Sequence, residues 1–253
     1  MKSLVVLGLA VITLAGCAEV PGGAERNTAS VVDPSLRAAA AAAEANRDYK
    51  GAVQHFGTLY QRRGDDREIG VALARNLRYG GQPQAGADIM QAQLSRFPHD
   101  ADLLIELGKD YLAADRMSLA QKALEEGRTL APDRWDGHAA LGVVLDTQGR
   151  GAEAEAAYLR ALELSPDNPV VLNNLGLSQA LAGKLDLALA TLTRAADLPA
   201  ANAQIRQNMA LLLALKGDAA QAEKLARRDL TAEQAKGNVE ILKALAGAAK
   251  AAR

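Results

Sequence analysis

The chain has 253 residues, of which 49% are hydrophobic and only 3% aromatic, and its 29 Lys and Arg against 30 Asp and Glu leave a net charge of −1. That balance excludes the basic footprint of a nucleic-acid-binding protein. Abundant alanine and scarce aromatic residues exclude the β-branched and aromatic faces of a sandwich or barrel.

The first element is an apolar leader. Met1 and Lys2 supply a positive start, and Leu4 to Leu14 form an uncharged run of signal-peptide length, well short of the roughly 20 apolar residues that span a bilayer. Ala15 and Gly16 then precede Cys17, the single cysteine, so the chain has no intramolecular disulfide. This arrangement resembles the lipobox of bacterial lipoproteins. The resemblance implies cleavage after residue 16 and a covalent lipid on Cys17, with no other cofactor. It also implies a membrane anchor, and Ala18, where inner-membrane lipoproteins often carry Asp, implies the outer membrane with the protein facing the periplasm. One acyl chain binds a membrane only marginally, whereas several hold it durably.

Residues 17–32 contain Pro21, Gly22 and Gly23 and no helical period, and they are expected to form a flexible tether with a reach of roughly 20 Å. Residues 33–253 are expected to form the folded part. Asp33 and Pro34 suit the N-cap and first position of a helix.

From there the chain repeats. Pro98, Pro132 and Pro166 lie 34 residues apart, each after a helical pattern. Leu73, Leu107, Leu141, Leu175 and Met209 keep the same step, followed by Gly108, Gly142 and Gly176 in three units and by Ala74 and Ala210 in two. Ala120, Ala154, Ala188 and Ala222 form another series, and Gly81, Gly149, Gly183 and Gly217 a third, with Asp115 filling its gap. A large residue beside a small one lets a second helix approach closely. The glycine of the third series can take the left-handed conformation that turns the chain, and the proline stops the second helix. Each unit therefore reads as helix, tight turn, helix.

The register resembles the tetratricopeptide repeat family, whose period is 34 residues. The clearest unit, Trp135 to Asn168, has Leu141, Gly142, Ala154, Tyr158, Ala161 and Pro166 at the signature positions. The resemblance implies an all-α fold, an α-solenoid of about six helix-turn-helix units over residues 33–236, with a C-terminal capping helix from about Asn238. The units begin at Asp33, Arg67, Ala101, Trp135, Pro169 and Ala203, the first barely recognisable. Degenerate end units suit an array whose terminal repeats cover its exposed faces.

No motif carries chemistry. His55, His99 and His138 share no helical i,i+4 spacing and have no second cysteine to complete a zinc site. Gly183-Lys184 is followed by Leu185 and lacks the upstream glycine of a phosphate-binding loop. The chain is expected not to be an enzyme and to have no small-molecule substrate.

What the resemblance implies instead is a peptide-binding groove lined by the first helix of each unit. Arg75, Lys109, Asn173, Asn174, Leu177, Gln207, Asn208 and Leu211 fall on groove positions. Asn174 and Asn208 share one position of consecutive units and are expected to stack as rungs that pair with the backbone of an extended partner. The lipobox, the tether, the repeats and the segment Gln207 to Leu230 together resemble the TadD-like lipoproteins of Flp-type (tight adherence) pilus assembly. That implies a scaffold or adaptor whose partners are proteins of the pilus and secretin machinery. A pilotin of type IV pili, or a general envelope adaptor serving peptidoglycan or outer-membrane protein assembly, shares the same plan.

Overall fold

The computed structural model describes residues 23–251, in which thirteen helices and no strand follow one another. The helices pair into six hairpins. The first unit comprises α1 (Gly23–Ala45) and α2 (Tyr49–Arg62), the second α3 (Arg67–Tyr79) and α4 (Pro83–Leu94), and the third α5 (Ala101–Ala113) and α6 (Met117–Leu130). The fourth comprises α7 (Trp135–Thr147) and α8 (Gly151–Leu164), the fifth α9 (Pro169–Leu181) and α10 (Leu185–Ala196), and the sixth α11 (Ala203–Lys216) and α12 (Ala219–Ala226). The last helix, α13 (Ala232–Ala251), packs on both α11 and α12. The architecture is the expected all-α solenoid.

The turn between the paired helices is the most regular feature of the backbone. Gly81, Gly149, Gly183 and Gly217 have φ of 79, 74, 77 and 102°, and Asp115 has 58°. Arg47, 34 residues before Gly81, also has 58°, so the barely legible first unit makes the same turn as the others. Helix starts are equally periodic. At four of the five boundaries the last residue of a unit caps the next one: Asp66, Asp100, Asn168 and Asn202 each accept backbone N–H bonds from the helix that follows, and Arg134 does not.

Two boundaries differ from expectation. The tether expected over residues 17–32 is helical from Gly23, and Pro34 lies inside α1 instead of starting it. Ala24 to Val32 contains neither glycine nor proline, so nothing there stops a helix from propagating upstream past Pro34, at the loss of that residue's own N–H bond. Asp33 is no cap; it pairs with Arg62 at 3.1 Å. The leader, Cys17 and residues 18–22 lie outside the described residues. At the other end the capping helix begins at Ala232, ahead of Asn238. Thr231 and Gln234 form a reciprocal capping box there, with Thr231 N–H donating to Gln234 Oε1 at 3.1 Å and Gln234 N–H to Thr231 Oγ1 at 3.3 Å.

The core runs along the stack. Its largest part is continuous from α3 to α9, through Met90, Ile105, Leu124, Val144, Tyr158 and Val171. A neighbouring cluster at the N-terminal end centres on Phe56, Leu59 and Ile69, and another at the C-terminal end on Leu192 and Leu212. From α3 to α13 each odd-numbered helix also packs on the next odd-numbered one, and no comparable packing joins successive even-numbered helices. The stack therefore bends with the odd helices lining its inner face.

Candidate functional site: a groove of two chemistries

Positions 2, 6, 9 and 13 of each unit are spaced i, i+4, i+7 and i+11, which puts them on one face of the odd helix. The N-terminal half of that face is charged and the C-terminal half is not.

In the charged half, acids and bases pair across three repeats. Asp100 accepts from Arg67 Nε at 2.6 Å, and Arg67 also holds Asp102. Asp102 in turn binds Arg134, whose Nη2 lies 3.1 Å from Asp136. Lys109 Nζ sits 2.7 Å from both Asp136 and Glu106. Arg78 bridges Glu106 at 2.8 Å and Asp110 at 2.6 Å. The result is one unbroken relay from Asp100 to Asp110. Burial alone would raise the carboxylates, but the surrounding cations outweigh it, and Asp100, Glu106 and Asp136 lie below their usual range. Asp110 is the exception. Its side chain is fully buried, one carboxylate oxygen has no partner, and burial pushes it up to about 7 against the pull of Arg78, helped by the charge of Glu106.

Two predicted groove residues belong to this paired half. Lys109 is held by two acids, and Arg75 is bound to Glu44 of α1 at 2.8 Å. Both lie on the groove face, with their charges already answered.

The other half presents amides and leucines. On α9 the face reads Val170, Asn174, Leu177 and Leu181, and on α11 it reads Gln204, Asn208, Leu211 and Leu215. Val170 is exposed, Leu181 is 80% exposed, and Leu177 and Leu211 are half-buried beside them. The amides form a directional chain: Gln204 Nε2 donates to Asn208 Oδ1 at 3.0 Å, Asn208 Nδ2 to Asn173 Oδ1 at 2.8 Å, and Asn173 Nδ2 to Asn174 Oδ1 at 3.3 Å. The bond between repeats therefore runs from Asn208 to the buried Asn173. Position 5 points more deeply than position 6, and an asparagine there reaches the next repeat. Among the described residues, the Nδ2 of Asn174 and the Oε1 of Gln204 remain unbonded at the two ends. Gln207 turns away toward the end of α12, donating to the Ala226 carbonyl at 3.4 Å. A cavity of about 250 Å³ continues this half of the groove between α11 and α13, lined by Asn208, Leu211, Val239 and Ile241 among others.

The charge relay was missed in the sequence because Glu106, Asp110, Asp136 and Arg78 each look like solvated helix residues. Its signal is the stacking of opposite charges at positions 2, 6, 9 and 12 of adjacent units. Among the described residues no three His, Cys, Asp or Glu side chains gather as a metal-holding group.

Known proteins place the repeats. Residues 105–169 and 157–190 match tetratricopeptide repeat models, and the chain carries tetratricopeptide repeats across that region. A curated relative, the uncharacterized protein y4yS of Sinorhizobium fredii (strain NBRC 101917 / NGR234), is 34% identical over 95 residues, which is 38% of this chain and about half (52%) of that protein. Among solved structures, the thermophilic TPR protein TTC0263 of Thermus thermophilus superposes with a TM-score of 0.66 at 21% identity, over 72% of this chain and 98% of that one. Pseudomonas aeruginosa pilF gives 0.62 at 16% identity, over 84% and 98%. A chain of the Cut9-Hcn1 hetero-tetramer of the APC/C gives 0.68 at 14% identity, over 85% and 44%. These likenesses establish the fold. Tetratricopeptide arrays are in general protein–protein interaction scaffolds, a type that is typically non-enzymatic.

Proposed function

We propose that this chain is a lipid-anchored scaffold of the outer membrane, facing the periplasm, that captures an extended segment of an envelope protein in the C-terminal half of its groove. The observation that carries the reading is the contrast within the groove. Apart from one buried oxygen of Asp110, the charge relay satisfies itself, so a partner entering there would have to break paired ions and leave charges unanswered. The half built by α9, α11 and α13 offers an unbonded amide donor and an unbonded amide acceptor beside exposed leucines. Those are the groups that an extended backbone with apolar side chains requires.

The system we assign is Flp-type pilus assembly, with a secretin or another assembly protein as the partner. Support comes from the order of lipobox, repeats and the segment Gln207 to Leu230. The lipid on Cys17 would hold the array beside the membrane in which such an apparatus is built.

Two measurements test the reading. Cys17→Ser should release the protein from outer-membrane fractions without changing its helicity, and a variant that still sediments with that membrane would overturn the anchor. Pull-down from envelope extracts should recover pilus-assembly proteins with the wild-type chain and lose them with Leu177→Asp and Leu211→Asp combined. Recovery of the same proteins by that variant would overturn the groove, and recovery of peptidoglycan-associated or barrel-assembly proteins in their place would reassign the system.

A further inference from the structure

One seam between repeats departs from all the others. Position 28 of the unit, near the end of the second helix or just past it, is filled by Tyr60, Leu94, Leu162, Ala196 and Leu230 in five units, each packed against a core cluster. In the third unit it is Arg128. Position 4 of the following unit is His138, where the units one period before and after have Leu104 and Leu172; the sixth unit also has a cation there, Arg206, but it is paired with Asp229. Leu162 packs with the buried Leu172 at the next seam, and one period earlier their counterparts are Arg128 and His138.

The substitution opens a space. A cleft of about 740 Å³ lies on the outer face of the solenoid between α6 and α8, with α7 as its floor, and Arg128 and His138 both line it. Leu141 and Leu145 form an apolar floor, and Ala157 contributes a small side chain to the wall. His138 is buried and donates from Nε2 to the Pro132 carbonyl at 3.0 Å. Arg128 makes no hydrogen bond or ion pair among the described residues, and its Nε is buried without a partner. The other arginines of the cleft are engaged: Arg150 with Glu153 at 2.6 Å and Arg160 with Glu163 at 2.6 Å. Glu125 and Glu153 also stand at the rim.

A buried N–H left unanswered costs free energy that an arginine at an otherwise apolar position does not recover by itself. The guanidinium is a rigid fork that matches a carboxylate. With one uncompensated cation inside and two carboxylates at the mouth, the cleft suits a monoanion and disfavours a phosphate dianion. Leucines beneath it call for an apolar body. The alternating charges of the rim suit the polar backbone of a peptide and would be left desolvated under an alkyl chain.

From these observations we infer that the cleft between α6 and α8 is a second binding site, separate from the groove, that takes a carboxylate-bearing apolar peptide segment of a protein partner on Arg128. Its failure leaves the groove reading untouched, because none of its residues lies on the inner face.

The test uses the full chain and two probes, N-acetyl-Leu-Leu with a free terminal carboxylate and the same compound as its amide, followed by amide NMR shifts at Leu141 and Leu145. The free acid should shift those resonances in a saturable manner and bind about tenfold or more tightly than the amide, the value of one charge-assisted contact. Arg128→Leu restores the residue type of the other units, so it should fold normally by circular dichroism and should abolish the discrimination between acid and amide. Decanoate serves as the lipid arm. Equal binding of acid and amide, absence of saturable shifts, unchanged discrimination in Arg128→Leu, or tighter binding of decanoate than of the peptide acid would each overturn the assignment.

Discussion

A Cβ placed on Gly142 would lie 2.6 Å from Cε1 of Tyr158, so the first and second helices of the fourth unit meet with no room for a methyl group. The same contact recurs one period on either side, from Gly108 to Leu124 at 2.5 Å and from Gly176 to Leu192 at 2.8 Å. What differs is the freedom of the neighbour. Tyr158 is 1% exposed and its hydroxyl donates to Asp146 at 2.9 Å, while Ser178 donates to the other oxygen of Asp146, so the carboxylate that holds the ring is itself fixed. Leu192 is just as buried but has no hydrogen bond to hold it in place.

Gly142→Ala should therefore lower the melting temperature more than Gly176→Ala, and Gly142→Val should cost about 1–3 kcal/mol. Ala154→Leu, at a fully buried position on the facing helix, should be harmful for the same reason. Equal melting temperatures for the two alanine variants would show that Asp146 does not fix the ring.

The six turns offer a gain instead of a loss. Arg47 and Asp115 hold φ of 58° where the other four units have glycine. A left-handed conformation costs a side-chain-bearing residue about 1–2 kcal/mol, and aspartate less than most. Arg47→Gly should stabilise the array by up to about 1 kcal/mol once the extra freedom of glycine in the unfolded chain is subtracted. Asp115→Gly should gain less. Chemical denaturation of both variants measures the order.

Those turns also show what the sequence revealed and what it hid. The period and the small residues were legible because helix packing and chain reversal each restrict one position to a few residue types. The first unit was nearly silent because Arg47 occupies the turn by virtue of its neighbours and not by its own preference. The extension of α1 upstream of Asp33 was hidden for the opposite reason: a proline reads as a start, and only the absence of a breaker in Ala24 to Val32 argues against it. Along the odd helices, the face on which a residue lies was legible from register, but its partners were not. Lys109 and Arg75 sit where expected with their charges consumed by acids on neighbouring repeats, and pairing between units depends on side-chain reach that a one-dimensional register does not contain.

The charge relay predicts a pH dependence with two signs. Asp110 is raised to about 7 by burial, so the folded chain keeps a proton that the unfolded carboxyl releases at its ordinary, lower value. Stability from this group is fully present below that ordinary value and is lost as pH rises through about 7. Asp100, Glu106 and Asp136 are lowered, so their contribution is present above the ordinary carboxylate range and is lost as pH falls below it. Asp110→Asn should flatten the stability profile between mildly acidic and neutral pH and leave the acid limb in place. A wild-type profile that rises steadily through neutrality would contradict the raised value.

The two halves of the groove should respond in opposite ways to substitution, and this separates scaffold from site. Lys109 bridges Glu106 and Asp136, both largely buried, so Lys109→Ala takes one of two cations from each acid, leaving Arg78 on Glu106 and Arg134 on Asp136, and should destabilise the array by about 1–3 kcal/mol. Partner capture by the molecules that remain folded should persist. Leu181 is 80% exposed and Leu215 is exposed on the adjoining repeat, so Leu181→Ser with Leu215→Ser removes little packing and should leave the melting temperature nearly unchanged. The same pair should weaken capture if the segment lies along α9 and α11. Asn174→Ala with Asn208→Ala probes the amides between them. Losing Asn208 also removes its bond to Asn173, and Asn174→Ala would remove the Oδ1 that accepts from Asn173, so Asn174→Asp, which keeps that acceptor and deletes only the donor, is the cleaner variant. Reduced capture with unaltered stability in Asn174→Asp would assign that donor to the partner's backbone, and unchanged capture would confine recognition to the leucines.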